Sequence, residues 1–237
     1  MGRAFFVSGI DTGIGKTVVT GLIARSLLRR GVDAITVKMV QTGCDGFSED
    51  RDAHRAMMAL EGAKSVFPED GEGLTAPQIF RYPASAQLAA RLEGRTVDVE
   101  RIVSSVRLVA SRHAATLVEG AGGLAVPLDD GTFAVDVAAR EQWPLILVTS
   151  GRLGSINHTI LSLEAAMVRG MEILGVVFNG GSGDEDPVIA DDAASFTARW
   201  LAAKGASAPV VRMGRVEGGA IPSGIDEISG AIERKIW

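Results

Sequence analysis

The chain has 237 residues, 24 Lys+Arg against 29 Asp+Glu, 29 glycines and one cysteine. A net charge of −5 gives no basic footprint for nucleic acid, and 46% hydrophobic with 22% charged residues is a globular balance that excludes disorder. A lone Cys44 excludes a disulfide framework within the chain and a cysteine-cluster metal site, and suits a reducing cytoplasm.

The first apolar run, Ala4–Ser8, predicts a strand. Ala4–Ile10 is too short for a secretory or membrane segment, and Asp11 stops it at once. Gly15–Arg30 follows as a helix with Val19, Leu22, Ile23 and Leu27 on one face. Further strands are expected at Ala34–Val40, Ala115–Val118, Leu145–Thr149, Ile173–Phe178 and Pro209–Met213. All are continuous apolar runs, as strands buried on both faces of a parallel sheet are. Helical patterns lie between them at Arg51–Glu61, Ala84–Leu92, Val99–Ser111, Ala134–Glu141, Ser155–Arg169 and Val188–Ala203. A last one, Gly224–Ile236, is expected to be capped by Ser223. The alternation predicts an α/β layer fold with a mostly parallel sheet flanked by helices. No linker or repeat interrupts it, so residues 1–237 read as a single domain. Gly180–Pro187 reads as a surface loop.

The strongest motif is Gly9-Ile10-Asp11-Thr12-Gly13-Ile14-Gly15-Lys16-Thr17, between the first strand and the first helix. It ends as a phosphate-binding loop does. Backbone N–H groups at a helix start favour phosphate, Lys16 adds a charge, and the Thr17 hydroxyl suits Mg²⁺. Its first glycine stands one position earlier than the usual spacing. Other strands also end in polar residues and glycine: Lys38 before Gln41-Thr42-Gly43, Glu119 before Gly120-Ala121-Gly122-Gly123, Thr149-Ser150-Gly151, and Asn179-Gly180-Gly181. Ligands of parallel α/β sheets bind beyond those ends. Turn formation explains the glycines but not Lys38 and Glu119. Glu119 stands where phosphate-loop enzymes hold Mg²⁺, and Lys38 brings a second cation to a transferring phosphoryl group. The stretch Glu49-Asp50-Arg51-Asp52 reads either as a source of another metal carboxylate or as a solvated helix start. The segment Ser150–His158 opens a helix whose donors suit a carboxylate, with a simple cap by Ser155 as the alternative. His54 and His113 are expected on the surface.

The phosphate loop, Lys38-Met39-Val40-Gln41-Thr42-Gly43, Val118-Glu119-Gly120-Ala121-Gly122-Gly123-Leu124-Ala125-Val126-Pro127-Leu128 and Gly151–His158 occur in one order across most of the chain. Together they resemble the dethiobiotin synthetase family. The resemblance implies a three-layer P-loop nucleotide-hydrolase-like fold and a cytoplasmic homodimer with substrate sites at the subunit interface. It implies that 7,8-diaminononanoate and carbon dioxide form a carbamate, which ATP phosphorylates with Mg²⁺. The second amine then closes the ring to dethiobiotin. Neither nucleic acid nor a membrane is implied as a partner.

Position by position, the resemblance implies that Lys16 and Lys38 act on the phosphoryl group, with Thr12 and Thr42 beside the reacting atoms. ATP would be held by Gly13, Ile14, Gly15, Lys16, Thr17 and Val18, and its adenine by Asn179 with Gly214 and Val216. Gly151, Leu153 and Asn157, with Lys38 and Thr42, would bind the diamine. Thr17, Asp52 and Glu119 would ligate Mg²⁺. Met39 departs from the proline usual there, and Ala86-Gln87 from a frequent Pro-His. A partitioning-type ATPase of the same fold would carry a lysine five positions before Lys16, where this chain has Asp11. A non-catalytic nucleotide sensor would have no need of Lys16, Lys38, Thr17 and Glu119 together.

Overall fold

Every residue of Ala34–Lys38 and Leu145–Thr149 is buried. Successive strand residues point to opposite faces, so both faces of the sheet are covered and the fold has three layers. The computed structural model describes residues 2–59, 66–181, 185–216 and 220–237. Its strands are β1 (Arg3–Gly9), β2 (Ala34–Lys38), β3 (Gln41–Thr42), β4 (Ile79–Phe80), β5 (Ala115–Gly123), β6 (Leu145–Thr149), β7 (Ile173–Asn179) and β8 (Val210–Met213). Its helices are α1 (Lys16–Arg29), α2 (Glu49–Ala59), α3 (Pro68–Gly71), α4 (Ala86–Leu92), α5 (Val99–Arg112), α6 (Ala134–Arg140), α7 (Ser155–Val168), α8 (Pro187–Ala203) and α9 (Ser223–Ile236).

Six strands form one parallel sheet in the order β2-β5-β1-β6-β7-β8, while β3 and β4 pair separately. The central β1 has β5 on one side and β6 on the other. The crevice beyond its carboxyl end is therefore the position where such sheets take ligands. One continuous apolar core spans the sheet and its helices, with Phe5, Phe6, Ile35, Leu117 and Val148 fully buried.

The α1 stripe is buried at Val19, Leu22, Ile23 and Leu27. The α9 stripe is buried at Ile225, Ile228 and Ile232, and Arg30 and Glu233 close the α1–α9 seam at 2.8 Å. Several boundaries differ from the sequence expectation. The second strand stops at Lys38, and Gln41–Thr42 pairs instead with Ile79–Phe80. The third runs on to Gly123, which pairs with Gly9 after a register shift, so its glycines are strand rather than loop. Ser223 is the first residue of α9, not its cap. Asp226 faces away to accept from Ser26 at 2.7 Å. Residues 60–61 of the second expected helix and 182–184 of the expected loop lie outside the described residues.

Candidate active site

The phosphate loop links the end of β1 to the start of α1. Gly13 and Gly15 have φ of 69° and 92°, a left-handed backbone that side chains disfavour. Gly15 is needed for a second reason: a Cβ there would collide with the Asn179 carboxamide. That carboxamide donates from Nδ2 to the Ile14 carbonyl at 3.0 Å, so β7 braces the loop. Asp11 accepts from the Thr12 N–H at 2.7 Å, and Lys16 Nζ reaches back to the Asp11 carbonyl at 2.8 Å.

The parallel register of β2 and β5 places Lys38 opposite Glu119. Lys38 Nζ donates to Glu119 Oε1 at 2.8 Å and to the Gly120 carbonyl at 3.1 Å, and meets Asp50 Oδ2 at 2.6 Å. Thr17 Oγ1 lies 3.1 Å from Asp50 Oδ1 and 3.0 Å from Glu119 Oε1. Met39, at the position usual for proline, donates its N–H to the Glu119 carbonyl at 2.9 Å, a ladder bond that proline lacks the hydrogen to make.

Asp50 enters this cluster from the first turn of α2. Ser48 begins that turn, accepting the Arg51 N–H at 3.3 Å in the manner of a helix cap. Its hydroxyl donates to Gln41 Oε1 at 2.8 Å, and the same oxygen accepts the Asp50 N–H at 3.3 Å. Gln41 on β3 thus fixes where α2 starts and where Asp50 points. Asp52 is not brought to the cluster. It lies two positions on, on another face of the helix, half exposed and paired with its neighbour Arg51 at 2.6 Å. Asp50, rather than the expected Asp52, is the carboxylate that this turn brings to Thr17 and Lys38. His54, one turn after Asp50 on the same face, is fully buried rather than on the surface, with Nε2 2.6 Å from Glu119 Oε2. His113 is also buried, between Asp33 and Glu69.

Burial alone would push the Glu119 carboxyl upward. The Lys38 charge and the hydrogen bond from His54 outweigh it and hold the group at about 2. Burial likewise opposes the Lys38 charge, yet Glu119 and Asp50 keep it above its usual value. Lys16 goes the other way. Burial, then the nearby Lys38 charge, draw it down to about 8.

Three adjoining clefts meet at Thr12. The first, about 360 Å³, is lined by Lys16, Thr17, Lys38, Thr42, Asp50 and Glu119. The second, about 420 Å³, is lined by Gly13, Ile14, Val18, Asn179, Gly214 and Val216, among others. The third, about 440 Å³, is more apolar and runs past Thr42 along Pro83–Ala86 to Val126. Gly151, Leu153 and Asn157 line none of the three. The Gly151 N–H is taken by Glu185 at 2.6 Å, and Leu153 and Asn157 face outward at the start of α7, which Gly154 rather than Ser155 caps.

The donor set suits Mg²⁺. Thr17 Oγ1, Asp50 Oδ1 and Glu119 Oε1 are all hard oxygens within 3.1 Å of the threonine. Two carboxylates and a hydroxyl leave positions for phosphate oxygens and water, as Mg²⁺ requires. Among the described residues no His/Cys/Asp/Glu group forms a larger metal cage. The left-handed glycines and the buried Lys16 beside them suit a polyphosphate.

Residues 3–217 match a family model described as an AAA domain. The chain is 45% identical over 180 residues to ATP-dependent dethiobiotin synthetase BioD 2 of Haemophilus influenzae, covering 76% of this chain and 92% of that one. It is 42% identical over 201 residues to the protein of the same name from Pasteurella multocida, covering 85% and 92%. It is 46% identical over 178 residues to ATP-dependent dethiobiotin synthetase BioD of Chlorobaculum tepidum, covering 75% and 73%. Among solved structures, pNOB8 ParA bound to nonspecific DNA superposes with a TM-score of 0.54 at 14% identity, covering 100% of this chain and 99% of that one. The cell division ATPase MinD of Pyrococcus furiosus superposes with a TM-score of 0.51 at 18% identity, covering 99% and 100%. At such identities the two structures share the fold alone.

Proposed function

This chain belongs to the dethiobiotin synthetase family, and from that premise we propose how its residues carry the family's ATP-dependent ring closure. The chain is a ligase of biotin biosynthesis that uses ATP. The observation that carries the residue roles is the convergence of Lys16, Lys38, Asp50, Glu119 and Thr17 on one cleft at the carboxyl ends of β1, β2 and β5. Among the described residues neither cysteine nor serine lines that cleft.

The nucleotide lies across two clefts. Its adenine sits by Asn179, Gly214 and Val216, and its phosphates lie on the amides of Gly13 to Val18 with Lys16 beside them. Mg²⁺, when bound, neutralises phosphate charge and orients the terminal group. Thr17, Asp50 and Glu119 would hold it. The apolar third cleft takes the carbon chain of 7,8-diaminononanoate, with Thr12 and Thr42 near the amines.

One amine adds to carbon dioxide, giving a carbamate. A carbamate oxygen attacks the terminal phosphorus, and ADP leaves. Lys38 faces both the carbamate and the transferring phosphoryl group, where its charge stabilises what develops in the transition state. The second amine then attacks the carbamoyl carbon and phosphate departs. The five-membered urea ring closes with no change of oxidation state.

Residues 1–237 act as one domain, and the working protein is a cytoplasmic homodimer. Leu153, just before α7, is 87% exposed, and Leu161 and Val168 on α7 are exposed too. A second copy covering that face would bring Gly151, Leu153 and Asn157 to the carboxylate end of its neighbour's diamine. No helix among the described residues is long and apolar enough to cross a membrane.

Phosphate release with ATP, Mg²⁺, bicarbonate and the diamine tests the reading. Turnover is expected only when all four are present. Release that needs neither diamine nor bicarbonate would overturn it.

A further inference from the structure

We propose that His54 is a positioning residue for the metal carboxylate: its ring N–H pins one oxygen of Glu119 so that the other faces Thr17 and Lys38. The proposal rests on Glu119 serving as an Mg²⁺ ligand, as argued above.

The two carboxylate oxygens of Glu119 have separate partners. Oε1 takes Lys38 Nζ at 2.8 Å and Thr17 Oγ1 at 3.0 Å. Oε2 takes His54 Nε2 at 2.6 Å, and among the described residues it has no other partner. Both side chains are buried, His54 at 0% exposure and Glu119 at 1%, so water does not stand in for the imidazole. An ionised carboxylate can only accept, which fixes the hydrogen on Nε2. The opposite nitrogen, Nδ1, is buried and has no partner among the described residues, so within them the ring is oriented by this one bond and by packing. The last torsion of a glutamate is broad. Without the imidazole, Oε1 and Oε2 could exchange or turn away from the hydroxyl and ammonium groups they serve.

His54 reaches Glu119 because it is four residues after Asp50 on α2, so one helix face presents a metal carboxylate and the brace for the other. Arg55, on the next face, secures that presentation. It spans from the Thr36 carbonyl on β2 to Asp70 on α3. Partners that orient a metal ligand commonly set metal affinity by about tenfold or more when lost.

The test compares His54→Gln, whose amide donor falls near the position of Nε2, with His54→Leu, which has none. Mn²⁺ binding to the protein–ADP complex is read by electron paramagnetic resonance, alongside the Mg²⁺ half-saturation of turnover and the KM for diamine. His54→Leu is expected to weaken Mn²⁺ binding and raise the Mg²⁺ half-saturation about tenfold. Its diamine KM should stay within about twofold, and His54→Gln should hold metal within about threefold of the parent. Metal binding by His54→Leu that matches the parent would overturn the proposal. So would His54→Gln losing as much as His54→Leu. If His54→Leu fails to fold, His54→Asn replaces it, because its shorter amide does not reach Glu119. Equal metal binding by the Asn and Gln variants would then overturn it. Failure of the functional reading looks different: the parent itself would show no diamine-dependent turnover, while the metal-binding ratios would still report on His54.

Discussion

Lys38 and Glu119 are direct neighbours in the parallel β2–β5 ladder, and their side chains close an ion pair of 2.8 Å at the carboxyl end of the sheet. The pair is buried on both sides, and Asp50 completes it from the next layer. An ammonium shared by two carboxylates is well placed to move toward an incoming anion without unfolding anything around it. Lys38→Ala should therefore reduce kcat by about a hundredfold to a thousandfold, in line with losing one donor to a developing anion. ATP affinity should change by less than about threefold, since Lys16 and the loop amides hold the nucleotide. Steady-state kinetics with direct nucleotide titration checks this. Equal loss of turnover and affinity would place Lys38 in ground-state binding instead.

Asp50, beside Thr17 and Lys38, and the expected Asp52 give a paired test. Asp50→Asn removes a charge that meets Thr17 and Lys38 at once. It should lower Mg²⁺-dependent turnover by about tenfold to a hundredfold. Among the described residues the Asp52 side chain, 52% exposed, is held only by Arg51, a type of pair worth about 0–1 kcal/mol. Asp52→Asn should leave turnover within about twofold. Magnesium titrations of both variants decide the assignment, and the reverse ranking would restore Asp52.

Local sequence pattern alone does not single out Asp50 over Asp52. Lys38 and Glu119 directly follow or end buried apolar runs, and the glycine-rich loop before a helix marks Lys16 and Thr17, so local pattern points all four to one cleft. The six-stranded sheet was legible for the same reason. Asp50 and Asp52 sit in a polar stretch without that pattern. What separates them is the rotational phase of α2, and this depends on Gln41 seizing Ser48 and the Asp50 amide. Those contacts cross from another strand and leave no local pattern. Ser48 was the available signal, as a cap three residues before Arg51. His54 was misread because a lone histidine among charged residues looks solvated, and only the i, i+4 relation to Asp50 hinted otherwise.

The seating of α2 should be pH-dependent through Asp70. Burial raises the Asp70 carboxyl, but hydrogen bonds from Arg55 and Thr75 outweigh it and hold the group below its ordinary value. Arg55 binds it through Nε at 2.8 Å and Nη2 at 2.7 Å, and stacks 4.5 Å over the Phe67 ring. A carboxylate whose pKa is depressed by folding stabilises the fold above its unfolded value, roughly 3.9. That contribution disappears as pH falls through the lower folded value. Asp70→Asn should thus cost about 2 kcal/mol at pH 7. The gap to the parent should narrow as pH drops below about 4. Denaturation curves at neutral and acid pH test this, and a gap that stays constant would show that Asp70 acts by shape rather than charge.

Gly15 is the position where backbone and packing make the same demand. Its φ of 92° is costly for any residue with a Cβ, by about 1–2 kcal/mol. A Cβ would also strike the Asn179 carboxamide that holds the Ile14 carbonyl. Relief requires either the loop or Asn179 to move, and both line the proposed nucleotide clefts. Gly15→Ala should therefore weaken ATP binding by at least about tenfold, the equivalent of about 1.4 kcal/mol. Overall stability should fall by no more than about 2 kcal/mol, because the loop is surface-facing and the core beneath is untouched. Pairing it with Asn179→Ala separates the two causes. If the collision dominates, Gly15→Ala costs less affinity in the Asn179→Ala background than in the parent, the reference being needed because Asn179 itself sits by the adenine. If the left-handed backbone dominates, the cost is the same in both. Nucleotide affinity unchanged in Gly15→Ala would contradict both, and with them the placement of phosphate on this loop.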